Sequence, residues 1–181
     1  SNDNFSESVV HSLLFLAIEL YNGPHVSVTS TALVTIRQIT GIVLNSAAKL
    51  LNSDTNAASQ NHVADLNDIH TIGSVKSILK FIKDLSLSCR GEPTSWIPGK
   101  KLASSSCLDV LYDILEGWKS LFVDVTSFKT VLKEDIMPTI CFRLKSLHDD
   151  YVTVAKGSLN VSPAVQVAKT VKVARCLLFD Y

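Results

Sequence analysis

Apolar side chains recur along this chain at intervals of three and four, the spacing that gathers them on one face of an α-helix. Val9, Leu13, Leu16, Ala17 and Leu20 form one such face, and Tyr21-Asn22-Gly23-Pro24 stops it with a glycine terminus and a following proline. A second stripe follows the cluster Ser27 to Ser30, whose hydroxyls predict an N-cap. It runs through Ala32, Ile36, Ile39, Val43, Ala47 and Leu50 to about Asn52. Residues 53–67 lose this periodicity and predict a mobile surface loop. The third helix sets Ile72, Val75, Leu79, Ile82 and Ser86 against Lys76, Lys80 and Lys83 on the other side, ending before Cys89.

Residues 91–99 hold two turn-forming prolines and one large aromatic, which predicts an ordered loop pinned by a half-buried Trp96. Cys107, Leu108, Leu111, Leu115, Trp118 and Phe122 mark a fourth helix, and a short break at Asp124 to Thr126 leads to a fifth, packed antiparallel to it, with Phe128, Leu132, Ile136, Ile140 and Leu144. Pro138 should kink or divide that helix, since it removes one N–H and clashes with the preceding turn. In the last helix Ser162 is the expected N-cap and Pro163 the first residue, with Ala164, Ala168, Val171, Ala174 and Leu178 as core face. No segment alternates with period two, so the fold class is all-α. About six to eight antiparallel helices make a single domain over residues 1–181, either a closed bundle or a short, irregular α-solenoid of armadillo or HEAT type. The apolar pattern still runs at Tyr181, as expected of a fragment of a longer protein.

Composition narrows the function. Among 181 residues, 17 Lys and Arg balance 17 Asp and Glu, which removes the broad attraction a dedicated nucleic-acid binder exerts. Residues 1–75 hold two bases against six acids and the rest 15 against 11, so any basic surface belongs to the second part. The longest apolar run, Leu13 to Ile18, is short for a membrane span, and no signal peptide precedes it. The sequons at Asn4 and Asn160 speak only faintly for secretion. Cys89, Cys107, Cys141 and Cys176 follow no disulfide or metal spacing and read as reduced core or boundary thiols of a cytosolic protein.

Catalytic and metal signatures are missing. There is no nucleophile elbow, no H-E-x-x-H helix and no phosphate loop; Gly99-Lys100-Lys101 lacks both the upstream glycine at the right distance and the hydroxyl after the lysine. His11, His25, His62, His70 and His148 form no i, i+3 or i, i+4 pair with one another or with a cysteine. Asp149-Asp150 and Glu134-Asp135 are neighbours in sequence and diverge around a helix. The sharpest polar feature is the stripe Lys76, Lys80, Lys83, a candidate contact for an anionic partner or lipid and otherwise a solvated face. Trp96, Trp118 and Phe122 could alternatively line a lipid or small-molecule pocket, although aromatics at helical spacing are usually core. The expected chain is not an enzyme, and no cofactor is implied.

Five stretches, in the same order and at matching spacing from about residue 9 to 147, resemble a known family. Ser30 to Thr40 carries a T-A-x-x-T-x-R-Q-I core; Leu79, Phe81, Ile82, Asp84 and Leu85 resemble an L-x-F-x-D-L helix with one residue more before the aspartate; Gly91-Glu92-Pro93 with Trp96-Ile97 follows a G-E-x-x-x-W-L loop. Leu108-Asp109-Val110-Leu111 is similar to L-E-L-L, and Leu132-Lys133-Glu134 before Met137-Pro138 to L-K-E-x-[VI]-x-P. Together they resemble the N-terminal dimerisation and cyclophilin-binding domain of the large Arf guanine-nucleotide exchange factors, closest to that family's non-catalytic Golgi-to-endosome scaffold branch. Val43-Leu44-Asn45-Ser46 departs from the family's F-E-R-M, and Leu102 to Cys107 from its M-T-R-T-F. The resemblance implies an armadillo-like domain without exchange activity, cytoplasmic and peripheral to trans-Golgi and endosome membranes. Implied partners are a second copy, downstream domains of the same chain, Arf-like small GTPases and trafficking scaffolds.

Overall fold

The computed structural model of the protein describes residues 7–57, 73–99, 102–155 and 164–181. The helices are α1 (Glu7–Tyr21), α2 (Val26–Ala57), α3 (Gly73–Arg90), α4 (Ser104–Gly117), α5 (Lys119–Asp124), α6 (Thr126–Val131), α7 (Met137–Ala155) and α8 (Ala164–Asp180). A π-helical turn, Leu132–Ile136, joins α6 to α7. No strand occurs among the described residues, so the all-α class predicted from periodicity is the observed one. Of the expected loop at 53–67, residues 53–57 continue α2; 58–67 lie outside the described residues, as do Ile72, Ser162 and Pro163.

Helix α3 is the hub. Val75, Ile78, Phe81, Ile82, Leu85 and Cys89 are buried on it, an arc wide enough to face neighbours on two sides, and it packs against α1, α2, α4, α6, α7 and the π turn. Its charged remainder, Lys76, Lys80 and Lys83, is exposed as the pattern predicts. It ends at Arg90, two residues later than the sequence suggested. Gly91 then takes a φ of +78°, donating its N–H to Ser88 while Glu92 donates to Leu87. This is a Schellman terminus, and only glycine enters that left-handed conformation without steric cost. Far along the chain, α8 closes the core by packing on α4 and α7.

The stripe on α2 is also as expected, with Ala32, Ile36, Val43 and Ala47 buried, except that Leu51 replaces Leu50 at its end. Its start differs. The helix begins at Val26, so the cluster Ser27 to Ser30 expected to cap it lies inside, where Thr29 donates to the carbonyls of Tyr21 and His25. The stretch Val26–Leu51 is long and apolar enough to cross a membrane by length and composition, which the run length in the sequence did not reveal. Here it packs on α1, α3, α4 and α5, with Arg37 at its middle paired to Asp113.

Two expected core faces are rotated. On α1 the buried residues are Val10, Leu14, Ala17 and Ile18, leaving Val9, Leu13, Leu16 and Leu20 exposed; Ala17 alone belongs to both sets. On α8 Thr170, Val173 and Cys176 face inward, while Ala168, Val171 and Leu178 are exposed and Ala174 is partly buried. Both helices are apolar around most of their circumference, so spacing alone does not choose a face. The predicted fourth helix is broken at Trp118, whose φ of −133° ends α4 before α5 begins. Leu144 is exposed rather than core, and Thr139 and Leu147 take the inward positions. Pro138 leaves α7 unbroken; the wider π turn just before it accommodates the missing N–H and the ring.

Candidate interaction surfaces

The end of α3 and the 91–99 loop are locked by one carboxylate. Asp84 is only 4% exposed and accepts from three successive backbone amides: Ser95 to Oδ1 at 3.0 Å, Trp96 to Oδ2 at 3.1 Å and Ile97 to Oδ2 at 2.7 Å. Three amides converging on one anion satisfy a buried charge without a cation. Thr94 closes the turn by donating to the Ile97 carbonyl at 2.6 Å. Trp96 is partly buried, as expected, but where the third and fourth helices were the expected neighbours its ring lies edge-on to His11 of α1 at 4.8 Å, with its carbonyl 3.1 Å from that histidine's Nε2. The loop is thereby fixed to α1 as well as α3.

A charged seam joins α2, α4 and α8. Arg37 reaches Asp113 at 2.9 Å and Asp109 at 4.0 Å, and Lys169 pairs with Asp109 at 2.5 Å. Lys172 lies 3.6 Å over the Tyr112 ring, and a hydrogen bond with Glu116 pushes the Tyr112 phenol up to about 12. Burial raises the Asp113 carboxyl while the Arg37 guanidinium opposes it. Arg143 binds Gln166 from α7, and Tyr181 donates to the Leu115 carbonyl at 2.7 Å. The contacts of Gln166, Lys169 and Tyr181 hold the end of the chain in place, and sequence reading found none of them because the partners lie 23, 60 and 66 residues apart.

The lysine stripe is less cationic than its sequence. Lys80 pairs with Glu7 at 2.5 Å, holding that carboxyl below its ordinary range, with Lys76 adding to the effect. Lys83 faces Asp135, whose carboxyl is raised by burial and lowered by Lys83 and Arg90. An anionic partner would therefore have to compete with acids already in position.

The remaining candidates disperse. Phe122 stacks edge-on with Phe128 in the core, Trp118 lies over Gly41 and donates to Asn45 at 2.9 Å, and Trp96 sits on His11, three separate settings. The four cysteines are unbridged, with Cys89, Cys107 and Cys176 buried; the Cys107 thiol is raised by the neighbouring Cys89 and by burial. Among the described residues no three His, Cys, Asp or Glu side chains gather as a metal site, and His62 and His70 lie outside them.

An apolar surface is open between α1 and α2. Leu13, Leu16 and Leu20 on α1 are 39%, 57% and 47% exposed, as are Val28 and Ile42 of α2 in part. Two open grooves follow the seam between these helices. One, of about 230 Å³, is lined by Ala17, Leu20, Ser27, Val28, Thr31, Ala32 and Thr35; the other, of about 40 Å³, by Val10, Leu13, Ile39, Ile42 and Val43.

A stretch of 59 residues is 36% identical to Protein MON2 homolog of Caenorhabditis briggsae, covering 32% of this chain and 4% of that protein. No family model matches the chain, and no solved structure matches it. The chain is thus similar to a small part of a much longer relative. Its motif stretches, though distant in sequence, meet in the fold. Arg37 of the T-A-x-x-T-x-R-Q segment pairs with Asp109 of Leu108 to Leu111, Asp84 binds the Gly91 to Ile97 loop, and Thr139 beside Pro138 donates to Ser86 of α3.

Proposed function

We propose that this chain is a non-catalytic regulatory or scaffold domain of Golgi and endosome vesicle traffic, of the dimerisation and cyclophilin-binding kind found in large Arf exchange factors and their homologues. The observation that carries this reading is the 36% identity to Protein MON2 homolog over 59 residues, supported by the way the motif stretches interlock around α3. An armadillo-like arrangement, self-association and contacts with Arf-like GTPases belong to the same reading. So does a peripheral place on trans-Golgi and endosome membranes, reached through protein partners or lipid. Helix faces would do the work, since nothing in the described surface assembles a nucleophile, a base and an oxyanion site.

The test is recruitment and exchange measured together. The tagged chain should concentrate on trans-Golgi membranes in cells, and the purified chain should leave nucleotide exchange on Arf-family GTPases at its spontaneous rate. Diffuse distribution would remove the trafficking role, and accelerated exchange would remove the scaffold role.

A further inference from the structure

The cysteines differ in setting. Cys141 is exposed on α7, whereas Cys89 and Cys107 are 1% and 0% exposed and come together from two helices. Cys89 lies in the last turn of α3, and its Sγ donates to the carbonyl of Ser104, the first residue of α4, at 3.9 Å. Cys107 follows three residues later, on the same side of α4. Its Sγ donates to the Leu102 carbonyl at 3.6 Å, with the Cys89 thiol and the Ser88 hydroxyl also in contact. Ser104 Oγ donates to the Ser88 carbonyl at 3.5 Å, a further tie across the same junction.

Metal binding does not account for this pair. Among the described residues no three His, Cys, Asp or Glu side chains gather, and a structural zinc takes four ligands. Next to the two sulfurs lies a cavity of about 10 Å³. Ser88 and Leu102, both in contact with Cys107, belong to its wall, and Asp84 and Thr94 are its other polar members. That volume admits one water-sized molecule. Hydrogen peroxide is barely larger than water, and an aromatic disulfide is far larger.

We propose that Cys89 and Cys107 are the site of a reversible disulfide formed by a small hydroperoxide, a covalent staple between the end of α3 and the start of α4. One sulfur attacks a peroxide oxygen; the O–O bond breaks, a sulfenic acid forms, and the departing hydroxide takes the thiol proton to become water. The second sulfur displaces the hydroxyl of the sulfenic acid, which forms the S–S bond and releases another water. In sum two thiols lose two electrons and two protons, and one hydrogen peroxide is reduced to two waters. A thiol reductant reverses the bond by exchange. The pair is unbridged in the structure, its reduced form. Its hydrogen bond with Cys89 and burial both raise the Cys107 thiol, so the reaction is slow and answers to sustained peroxide. Closing residues 90–106 into a covalent loop restrains the unfolded chain and so favours the folded one. The inference is independent of the trafficking reading.

The test uses the full chain carrying Cys141→Ser, which removes the exposed thiol and the intermolecular bridges it would make. After excess hydrogen peroxide at neutral pH, the folded chain should lose two hydrogens in mass, and tryptic mapping should recover the Cys89 peptide joined to the Cys107 peptide. Its melting temperature should rise by about 5–10 °C and fall back on addition of dithiothreitol. A bulky aromatic disulfide reagent should leave both sulfurs unmodified over the same period. Cys107→Ser and Cys89→Ala, prepared separately so that a folding defect in one leaves the other, should each abolish the rise. Products limited to sulfinic or sulfonic acids, a bridge through Cys176, or a Cys89–Cys107 bridge that forms only in urea would overturn the proposal and leave the pair as core packing. So would an unchanged or lower melting temperature of the bridged chain, since the bond would then not fit the native junction, and so would equal reaction with the bulky reagent.

Discussion

The C-terminal end of α3 and the outer side of the α1–α2 hairpin are built from similar material and end in opposite conditions. At the first, Phe81, Leu85 and Cys89 are buried, Asp84 binds three backbone amides, and the following loop is tied to two helices. At the second, Leu13, Leu16, Leu20 and Ile42 reach solvent, and the hydrogen bonds of Thr31 and Thr35 stay within their own helix. Two of the motif stretches meet in the first region, around Asp84, whereas Thr31, Ala32, Thr35 and Ile39 of another line the open side of the second. Motif residues in this chain therefore sit both in locked architecture and on an open face.

The largest test of that contrast is Asp84→Ala. It strands three amides in a buried turn, and we expect a loss of about 3–5 kcal/mol, read from the urea midpoint. A loss below about 1 kcal/mol would mean the loop holds without its anion and would erase the distinction. Gly91→Ala comes next, at about 1–2 kcal/mol, because a Cβ meets the carbonyl in the left-handed conformation. The same measurement checks it, with circular dichroism to confirm retained helicity.

Lys80→Glu exchanges an exposed ion pair for like charges and should cost about 0.2–1 kcal/mol at neutral pH. It also has a pH signature. Lys80 lowers the Glu7 carboxyl below its ordinary value of 4.5, so the pair's contribution is present above that value and is lost as pH falls through the lower folded-state value. In Lys80→Glu that acid-side loss of stability should disappear from a melting series taken below pH 4.5. Smallest of all is Leu16→Gln on the open side of α1, expected within about 0.5 kcal/mol of the parent. A larger destabilisation would show that the outer face is packed after all.

Much of the framework was legible from periodicity. The stripe on α2, the core arc and outward lysines of α3, and a loop held by Trp96 all follow from spacing and side-chain size. The faces of α1 and α8 did not, since valine, leucine and alanine surround both helices and only the neighbours decide which side is covered. The break at Trp118 was missed because backbone conformation carries it; at Pro138 a kink or division was expected, and the helix instead widens into a π turn just before it. Asp84 did leave a signal. It shares helical phase with Phe81, Leu85 and Ser88, and a carboxylate at an inward phase asks for donors nearby. The lysine stripe was correctly placed outward, but Glu7 and Asp135, which face it from other elements, were invisible in the order of residues. The grooves between α1 and α2 are edged by Leu13 and Leu20, which the sequence reading assigned to the core.

The bonds that fix the 91–99 loop also bear on the order in which the chain assembles. Asp84 reaches partners 11 to 13 residues away, whereas Lys169 and Tyr181 reach across 60 and 66. Closing the longer spans costs roughly 1.5 kcal/mol more chain entropy, about two and a half doublings of loop length. The α3 turn can therefore nucleate early, from contacts local enough to survive brief collisions, while α8 waits for a surface to land on. By the same argument, α8 is expected to lift from α4 before the hub around α3 gives way.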